Sequence, residues 1–120
     1  RGARVTRISR SDDGLDLLDP TSILRVMDAL QGPFDAVLVA TGILAPDGMG
    51  PERALAALDG SAMAEVMQVN AIGPALILRH MPRLLPRRGR SVLGVLSARV
   101  GSIGDNHLGG WHSYRASKAA

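Results

Sequence analysis

Residues 34–40 read F-D-A-V-L-V-A, and Thr41-Gly42 ends the run. Apolar residues that continue without alternation are typical of a central strand buried on both faces of a parallel sheet. A second run of this kind, S-V-L-G-V-L, covers residues 91–96 and follows a long helical pattern. Short apolar strands that alternate with amphipathic helices predict an α/β layer with a parallel sheet.

The other predicted elements follow the same alternation, and Gly, Pro and polar residues separate them. Asp19-Pro20 is a favourable helix start, and Gly73-Pro74 predicts a kink inside the longest helix. The sequence predicts a strand over residues 3–8, a short strand or turn over 15–18, a helix over 21–30, one helical turn over 52–58, a long helix over 61–85, and a last helix from near Trp111 or His112.

Length and composition favour one small domain, because 120 residues with 46% apolar content can bury a core. The absence of cysteine excludes disulfides and thiolate metal sites, and the three histidines lack metal-binding spacing, so no metal is predicted. No signal-peptide pattern is present, and no apolar run approaches the ~18 residues of a membrane span. We therefore expect a cytoplasmic location without membrane binding.

The two ends of the sequence indicate a fragment. The chain begins with Arg1 rather than Met, and residues 116–120 continue a helical pattern without a stop signal. We interpret residues 1–120 as a single partial domain and expect the isolated fragment to be inactive.

The basic residues are almost all arginine, and the net charge is +3. Nucleic-acid binding would require stacking aromatic residues beside the basic patch, but the chain holds one Phe, one Trp and one Tyr. We interpret the patch as a solvated surface near a helix C-terminus and predict no nucleic-acid partner. The patch comprises Arg79, His80, Arg83, Arg87, Arg88 and Arg90.

Tyr114 and Lys118 form the most informative pair in the sequence. Positions i and i+4 lie on one face of a helix, so a phenol and an ammonium can share one site. The cation favours the phenolate, which lets the tyrosine exchange a proton with a carbonyl or alcohol oxygen. The same spacing also occurs on ordinary solvated helices, so the surroundings of the pair decide between the two interpretations.

Four motifs are predicted at the carboxyl ends of the strands, where ligands bind in open α/β sheets. They are T-G at 41–42, V-N-A-I-G-P at 69–74, S-A-R-V-G-S at 97–102 and Y-R-A-S-K at 114–118. Their order and spacing resemble the short-chain dehydrogenase/reductase family, in particular its C-factor-like and sniffer-like carbonyl reductases. The resemblance implies a Rossmann-like, doubly wound parallel sheet that binds NAD(P), here incomplete.

The resemblance also implies roles for single residues. Tyr114 would be the general acid in carbonyl reduction and the base in alcohol oxidation. Lys118 would support it and hydrogen-bond the nicotinamide ribose. Asn70 would hold a water that links Lys118 to solvent, although a polar residue on a solvated helix face is the alternative.

The catalytic serine of the family is harder to place in this sequence. Ala98 stands where the family has the serine that polarises the substrate carbonyl. Ser97 moves into the role, Ser102 supplies it, or the serine is absent. We favour Ser97, whose alternative role is a capping hydroxyl at the strand end.

Cofactor contacts are implied at Tyr114 and Lys118 and at five further positions. Arg10 would lie beside the adenosine ribose, where an arginine suits the 2′-phosphate of NADP, although NAD is possible and Arg10 could simply be solvated. Asp16 and Leu17 would lie near the adenine, and Ala40 and Gly42 would line the cofactor. The family's glycine-rich T-G-x-x-x-G-x-G turn, which holds the pyrophosphate, is not among these residues.

These implications predict an NADP-dependent reductase for a ketone, an aldehyde or a secondary alcohol, and a homo-oligomer in the full-length protein. Two alternatives remain open. One is a non-catalytic dinucleotide-binding or signalling protein of the same fold. The other is a truncated, inactive remnant.

Overall fold

Two short strands pair in parallel at the centre of the chain. In the computed structural model, which describes residues 2–120, β1 (Ala36–Val39) lies beside β2 (Val92–Val95), with Ala36 opposite Val92. Parallel neighbours need a crossover connection, and the helices between them supply it. The predicted combination of helices with a parallel sheet is confirmed over the described residues.

Six α-helices accompany the strands within residues 2–120, and the predicted helix over residues 21–30 is confirmed. That helix begins at Pro20 because the carboxylate of Asp19 accepts a hydrogen bond from the backbone N–H of Thr21, at 2.9 Å. The helices are α1 (Arg10–Asp13), α2 (Pro20–Ala29), α3 (Gly60–Met67), α4 (Gly73–Leu78), α5 (Met81–Leu84) and α6 (His112–Ala119), with 3₁₀ turns at Leu55–Ala57 and Arg99–Gly101.

Two predictions about strands are wrong. Residues 3–8 form no strand, and Val5 within them is 80% exposed. The two predicted central strands are short and largely exposed, with Val39 as the single buried residue of β1 and Leu38 64% exposed. Burial of a strand depends on the layers that cover it, and the described sheet has two strands.

The long helix is irregular where Gly73-Pro74 predicts a kink. A π-helical segment, Gln68–Ile72, joins α3 to α4, and the N–H of Gly73 donates to the carbonyl oxygen of Gln68, five residues earlier. Pro74 has no N–H to continue the regular ladder. The predicted extension to residue 85 is wrong, because the helix ends at Leu78 and a turn separates it from α5.

The continuous helical segment Gly60–Leu78 has 19 residues and is apolar enough to cross a membrane by length and composition alone. This finding differs from the sequence-based expectation that no such run exists. Val66, Asn70 and Ile77 of this segment are buried inside the protein. Core helices of soluble proteins pass the same test, so the segment does not establish a membrane span.

The hydrophobic core lies between α2, α4, α5 and the end of β1. Arg83, from the basic patch, donates hydrogen bonds to the carbonyl oxygens of Met27 (2.7 Å) and Leu30 (3.0 Å) at the end of α2. This arginine therefore stabilises a helix C-terminus. The buried core cluster comprises Leu15, Leu17, Ile23, Val26, Met27, Val39, Ile77, Met81 and Leu84.

Candidate active site

Asn70 is buried in the π-helical segment and connects two other parts of the structure. Its side-chain oxygen accepts a hydrogen bond from the backbone N–H of Ile43, at 2.8 Å, and its amide nitrogen donates to the carbonyl oxygen of Ile43, at 2.8 Å. The same nitrogen donates to the hydroxyl of Ser117 on α6, at 2.9 Å. The alternative of a solvated helix face is therefore wrong for Asn70, which is 6% exposed.

Ser117 carries this connection to the helix of the Tyr/Lys pair. Its buried hydroxyl accepts from Asn70 and donates to the carbonyl oxygen of Tyr114, at 2.8 Å. The loop after β1, the π-helical segment and α6 are thus joined by side-chain hydrogen bonds. The sequence analysis did not predict this role for Ser117. The signal for it was the spacing of three residues between Tyr114 and Ser117, which makes the two residues neighbours on a helix.

Tyr114 and Lys118 lie on one face of α6, as their spacing predicts. The Nζ atom of Lys118 is 5.9 Å from the centre of the Tyr114 ring and donates a hydrogen bond to the carbonyl oxygen of Leu96, at 3.1 Å. Partial burial lowers the pKa of the Lys118 ammonium from its ordinary value of 10.5. The ammonium therefore lies between the tyrosine ring and the carboxyl end of β2.

Gly42 leaves the space that this arrangement needs. A Cβ atom at position 42 would lie 3.0 Å from Nζ of Lys118 and 3.2 Å from the side-chain oxygen of Asn70. A side chain there would press on both functional groups, so glycine permits their close approach to the end of β1. Gly42, Asn70 and Lys118 thus meet at the carboxyl edge of the sheet.

The two candidate serines each make a hydrogen bond to the backbone. The hydroxyl of Ser97 donates to the carbonyl oxygen of Lys118 near the end of α6, at 2.7 Å. The hydroxyl of Ser102 accepts from the backbone N–H of Asp105, at 3.3 Å. Gly101 packs closely below the same helix end, since a Cβ there would lie 2.7 Å from the carbonyl oxygen of Lys118. In this arrangement Ser97 holds the C-terminal turn of α6.

Glu52 holds the opposite end of α6 and was missed by sequence reasoning. Its carboxylate accepts hydrogen bonds from the hydroxyl and the backbone N–H of Ser113. Burial raises the pKa of Glu52, but hydrogen bonds from Ser113 and the backbone, with the charge of His112, bring the pKa below its ordinary value of 4.5. A single glutamate in a Gly/Pro-rich loop gives no sequence signal of this role.

The sequence and the fold of the chain are similar to those of known proteins. The chain is 35% identical over 87 residues to the 1-hydroxy-2-glutathionyl-2-methyl-3-butene dehydrogenase of Rhodococcus sp. (strain AD45), which covers 72% of this chain and 35% of that protein. It is similar to a protein from Burkholderia multivorans described as a short-chain dehydrogenase/reductase with bound NADP, with a TM-score of 0.74, 30% identity, and coverage of 88% of this chain and 44% of the other. No family model matches the chain.

A third similarity concerns the fold alone. The carbonyl reductase Sniffer of D. melanogaster matches 88% of this chain and 47% of its own, with a TM-score of 0.73 and 21% identity. The similarities to the Rhodococcus dehydrogenase and to the Burkholderia protein support the short-chain dehydrogenase/reductase family. The chain spans 35% of the curated relative and 44% of the Burkholderia chain, so the activity of the whole protein stays a proposal.

Four of the residues that the family resemblance assigns to the cofactor lie within the first 40 residues of the chain. Arg10 is an exposed residue at the start of α1, and Ala40 is exposed just after β1. The carboxylate of Asp16 accepts from the backbone N–H of Leu18, at 2.9 Å. Leu17 is buried, and its carbonyl oxygen accepts from the side chain of Gln68, at 3.0 Å. Leu17 thus contacts the segment that carries Asn70.

Two features mark the edge of the sheet beside Lys118 and Asn70. The glycine at position 42 occupies a place where a Cβ would crowd Lys118 and Asn70. The hydroxyl of Thr41, next to it, is buried without a hydrogen-bond partner among residues 2–120. A backbone without side-chain bulk beside an exposed strand end suits close approach of a ligand.

Proposed function

We propose that the whole protein is an NADP-dependent short-chain oxidoreductase that interconverts a carbonyl compound and an alcohol. One observation carries the proposal: Asn70, Gly42 and Lys118 converge beside Tyr114 at the carboxyl ends of two parallel strands. The similarity to a dehydrogenase and to an NADP-bound member of the family supports the same chemistry. The finer assignment to the C-factor-like branch rests on the sequence resemblance.

Tyr114 performs the proton transfer in this proposal. Its hydroxyl gives a proton to the carbonyl oxygen of the substrate and takes one back in alcohol oxidation. The ammonium of Lys118, 5.9 Å from the ring centre, stabilises the phenolate that forms. Asn70 keeps α6 beside the strand ends through its hydrogen bond to Ser117. In the role that the family resemblance implies, Asn70 also holds a water that links Lys118 to solvent. The nicotinamide, when bound, supplies or accepts the hydride at the carbon atom.

Ser97 is the residue we propose for the contact with the substrate oxygen, because it lies two residues after the end of β2. Its hydroxyl donates to the carbonyl oxygen of Lys118 in this structure. A substrate contact would require that the hydroxyl change its acceptor. Gly42 and Ala40 would line the cofactor, and Asp16 and Leu17 would lie near its adenine.

The direct test is turnover by the purified whole protein. We expect loss of NADPH absorbance with members of a panel of ketones and aldehydes, and slower loss of NADH absorbance. The isolated residues 1–120 are expected to give no turnover. A whole protein that binds NADPH but reduces no compound of the panel, with Tyr114→Phe binding the cofactor equally, would favour a non-catalytic dinucleotide-binding protein instead.

Arg10 provides a test of cofactor preference. We expect Arg10→Ala to raise KM for NADPH about tenfold and to leave KM for NADH nearly unchanged, since one charge-assisted hydrogen bond to the 2′-phosphate is lost. Steady-state kinetics with both cofactors measures the ratio. Arg88→Ala is the matched control, because Arg88 is also exposed. Equal changes for the two cofactors would show that Arg10 does not contact the 2′-phosphate.

The remaining proposals concern the setting of the protein. We propose a cytoplasmic homo-oligomer that acts on a small molecule and binds neither nucleic acid nor membrane. Ile72 on the long helix is 45% exposed, which is consistent with packing against a second subunit. Light scattering of the whole protein at several concentrations measures its oligomeric state, and a monomer at all of them would contradict this part.

A further inference from the structure

The N-terminus of α6 lacks a capping side chain of its own. Trp111 occupies the N-cap position with φ of 52°, in the left-handed region, and its side chain makes no capping hydrogen bond. The first N–H groups of a helix have no partner within the helix and need one from elsewhere. An eight-residue helix is short, so its stability depends on such external contacts.

Glu52 supplies this contact from a distant part of the sequence. Its side-chain oxygens accept from the backbone N–H of Ser113 (3.3 Å) and from the Ser113 hydroxyl, and its carbonyl oxygen accepts from the N–H of Trp111. Ser113 is 2% exposed and Glu52 is partly exposed, so these bonds are partly sheltered from water. A carboxylate at a helix N-terminus is also favoured by the helix dipole.

The position of Tyr114 follows from this attachment. Tyr114 comes directly after Ser113, and each residue of an α-helix is rotated about 100° from the one before it. A loosened first turn would therefore change the direction of the Tyr114 side chain. Further along α6, Asn70 holds Ser117 and Ser97 holds the carbonyl of Lys118. Glu52 is the corresponding attachment at the first turn.

We infer that Glu52 is a positioning residue that fixes the rotation of α6, so that Tyr114 and Lys118 face Asn70 and Gly42. The inference rests on the proposed function, in which Tyr114 transfers the proton. In this inference Glu52 acts through its hydrogen bonds to Ser113 and not through the substrate. It therefore affects the chemical step without contributing a reacting group.

The experiment compares Glu52→Ala, Glu52→Gln and the control Glu65→Ala in the whole protein. The control removes the other glutamate of the chain, which lies on α3. We expect Glu52→Ala to lower kcat about 10- to 100-fold with little change in KM for NADPH, because misplacement of a reacting group affects the chemical step. Glu52→Gln retains an acceptor oxygen, so we expect it to recover part of kcat.

Hydrogen exchange of the backbone amides gives a readout that is independent of catalysis. In Glu52→Ala we expect the amides of Ser113 and the next turn of α6 to exchange about fivefold faster, as for a lost N-cap. Unchanged exchange there would overturn the inference even if the protein proves to be no reductase. The inference would also be overturned if Glu52→Ala exchanged these amides faster but had a kcat no lower than that of Glu65→Ala. If Glu52→Ala does not fold, Glu52→Gln decides by the same two measurements.

A double-mutant cycle with Ser113→Ala tests whether the effect passes through the proposed contact. If Glu52 acts through Ser113, the double variant should lose no more kcat than Glu52→Ala alone. Multiplied losses would mean that the two side chains act separately, which would contradict the inference. Failure of the proposed function can be distinguished from failure of this inference. If the protein is no reductase, the unsubstituted protein shows no turnover that Tyr114→Phe could lower, but the exchange measurement still tests the role of Glu52.

Discussion

Tyr114→Phe is expected to lower kcat for carbonyl reduction about 1,000-fold, since general acid catalysis contributes on the order of 10²- to 10⁴-fold. Phenylalanine keeps the ring that lies edge-on to Trp111, at 6.4 Å between centres, and that faces the Lys118 ammonium. The hydroxyl alone is lost, so the affinity for NADPH should hardly change. Stopped-flow measurement of a single turnover, with a separate fluorescence titration of NADPH, separates the chemical step from binding.

A control for this substitution removes a hydroxyl elsewhere. Thr21→Val changes an exposed residue in the first turn of α2 and should leave kcat unchanged. If Tyr114→Phe retained more than a tenth of the original kcat, another group would have to supply the proton. Loss of NADPH binding in the same variant would assign Tyr114 to the cofactor rather than to the chemical step.

Asn70→Ala is expected to lower the free energy of unfolding by about 3 kcal/mol, because a buried polar group without its partner costs about 1–3 kcal/mol. The substitution leaves the backbone N–H and C=O of Ile43 unpaired and removes a hydrogen bond of Ser117. It also leaves a cavity in the π-helical segment. Urea unfolding followed by fluorescence of Trp111, the one tryptophan of the chain, measures the change.

Gln68→Ala is the matched control for Asn70→Ala. Gln68 lies in the same segment and donates one side-chain hydrogen bond, to the carbonyl oxygen of Leu17. We expect a loss of about 1 kcal/mol for this substitution, as for one typical hydrogen bond. If Asn70→Ala cost no more than Gln68→Ala, the bonds of Asn70 would not be the connection that holds α6 beside the loop after β1.

The predictions for Tyr114 and Asn70 concern residues whose placement could be inferred in part from the sequence. The i, i+4 spacing of Tyr114 and Lys118 is local, and a helix is enough to bring the two side chains to one face. Gly73-Pro74 marked the irregular segment that carries Asn70, because Pro74 cannot continue the helical ladder. Neither the shared face of Tyr114 and Lys118 nor the interruption before Pro74 requires knowledge of distant residues. The catalytic roles of these residues remain predictions.

Other parts of the site depend on contacts between distant residues. Glu52 lies 61 positions before Ser113, and no spacing rule connects them. Ser97 was a candidate for the substrate contact, but only the folded chain brings its hydroxyl to the carbonyl oxygen of Lys118, 21 residues later. The predicted strand over residues 3–8 failed for a related reason, since a strand exists only where a neighbour accepts its backbone hydrogen bonds.

The sequence by itself determined the α/β class, the start of α2 at Asp19-Pro20, the interruption before Pro74 and the shared face of Tyr114 and Lys118. Each follows from periodicity, capping or the missing N–H of proline, which act over a few residues. The tertiary structure alone decided the burial of Asn70, the closeness of Gly42 to Lys118 and the attachment of α6 by Glu52. Those features depend on hydrogen bonds and excluded volume between segments that meet only when the chain has folded.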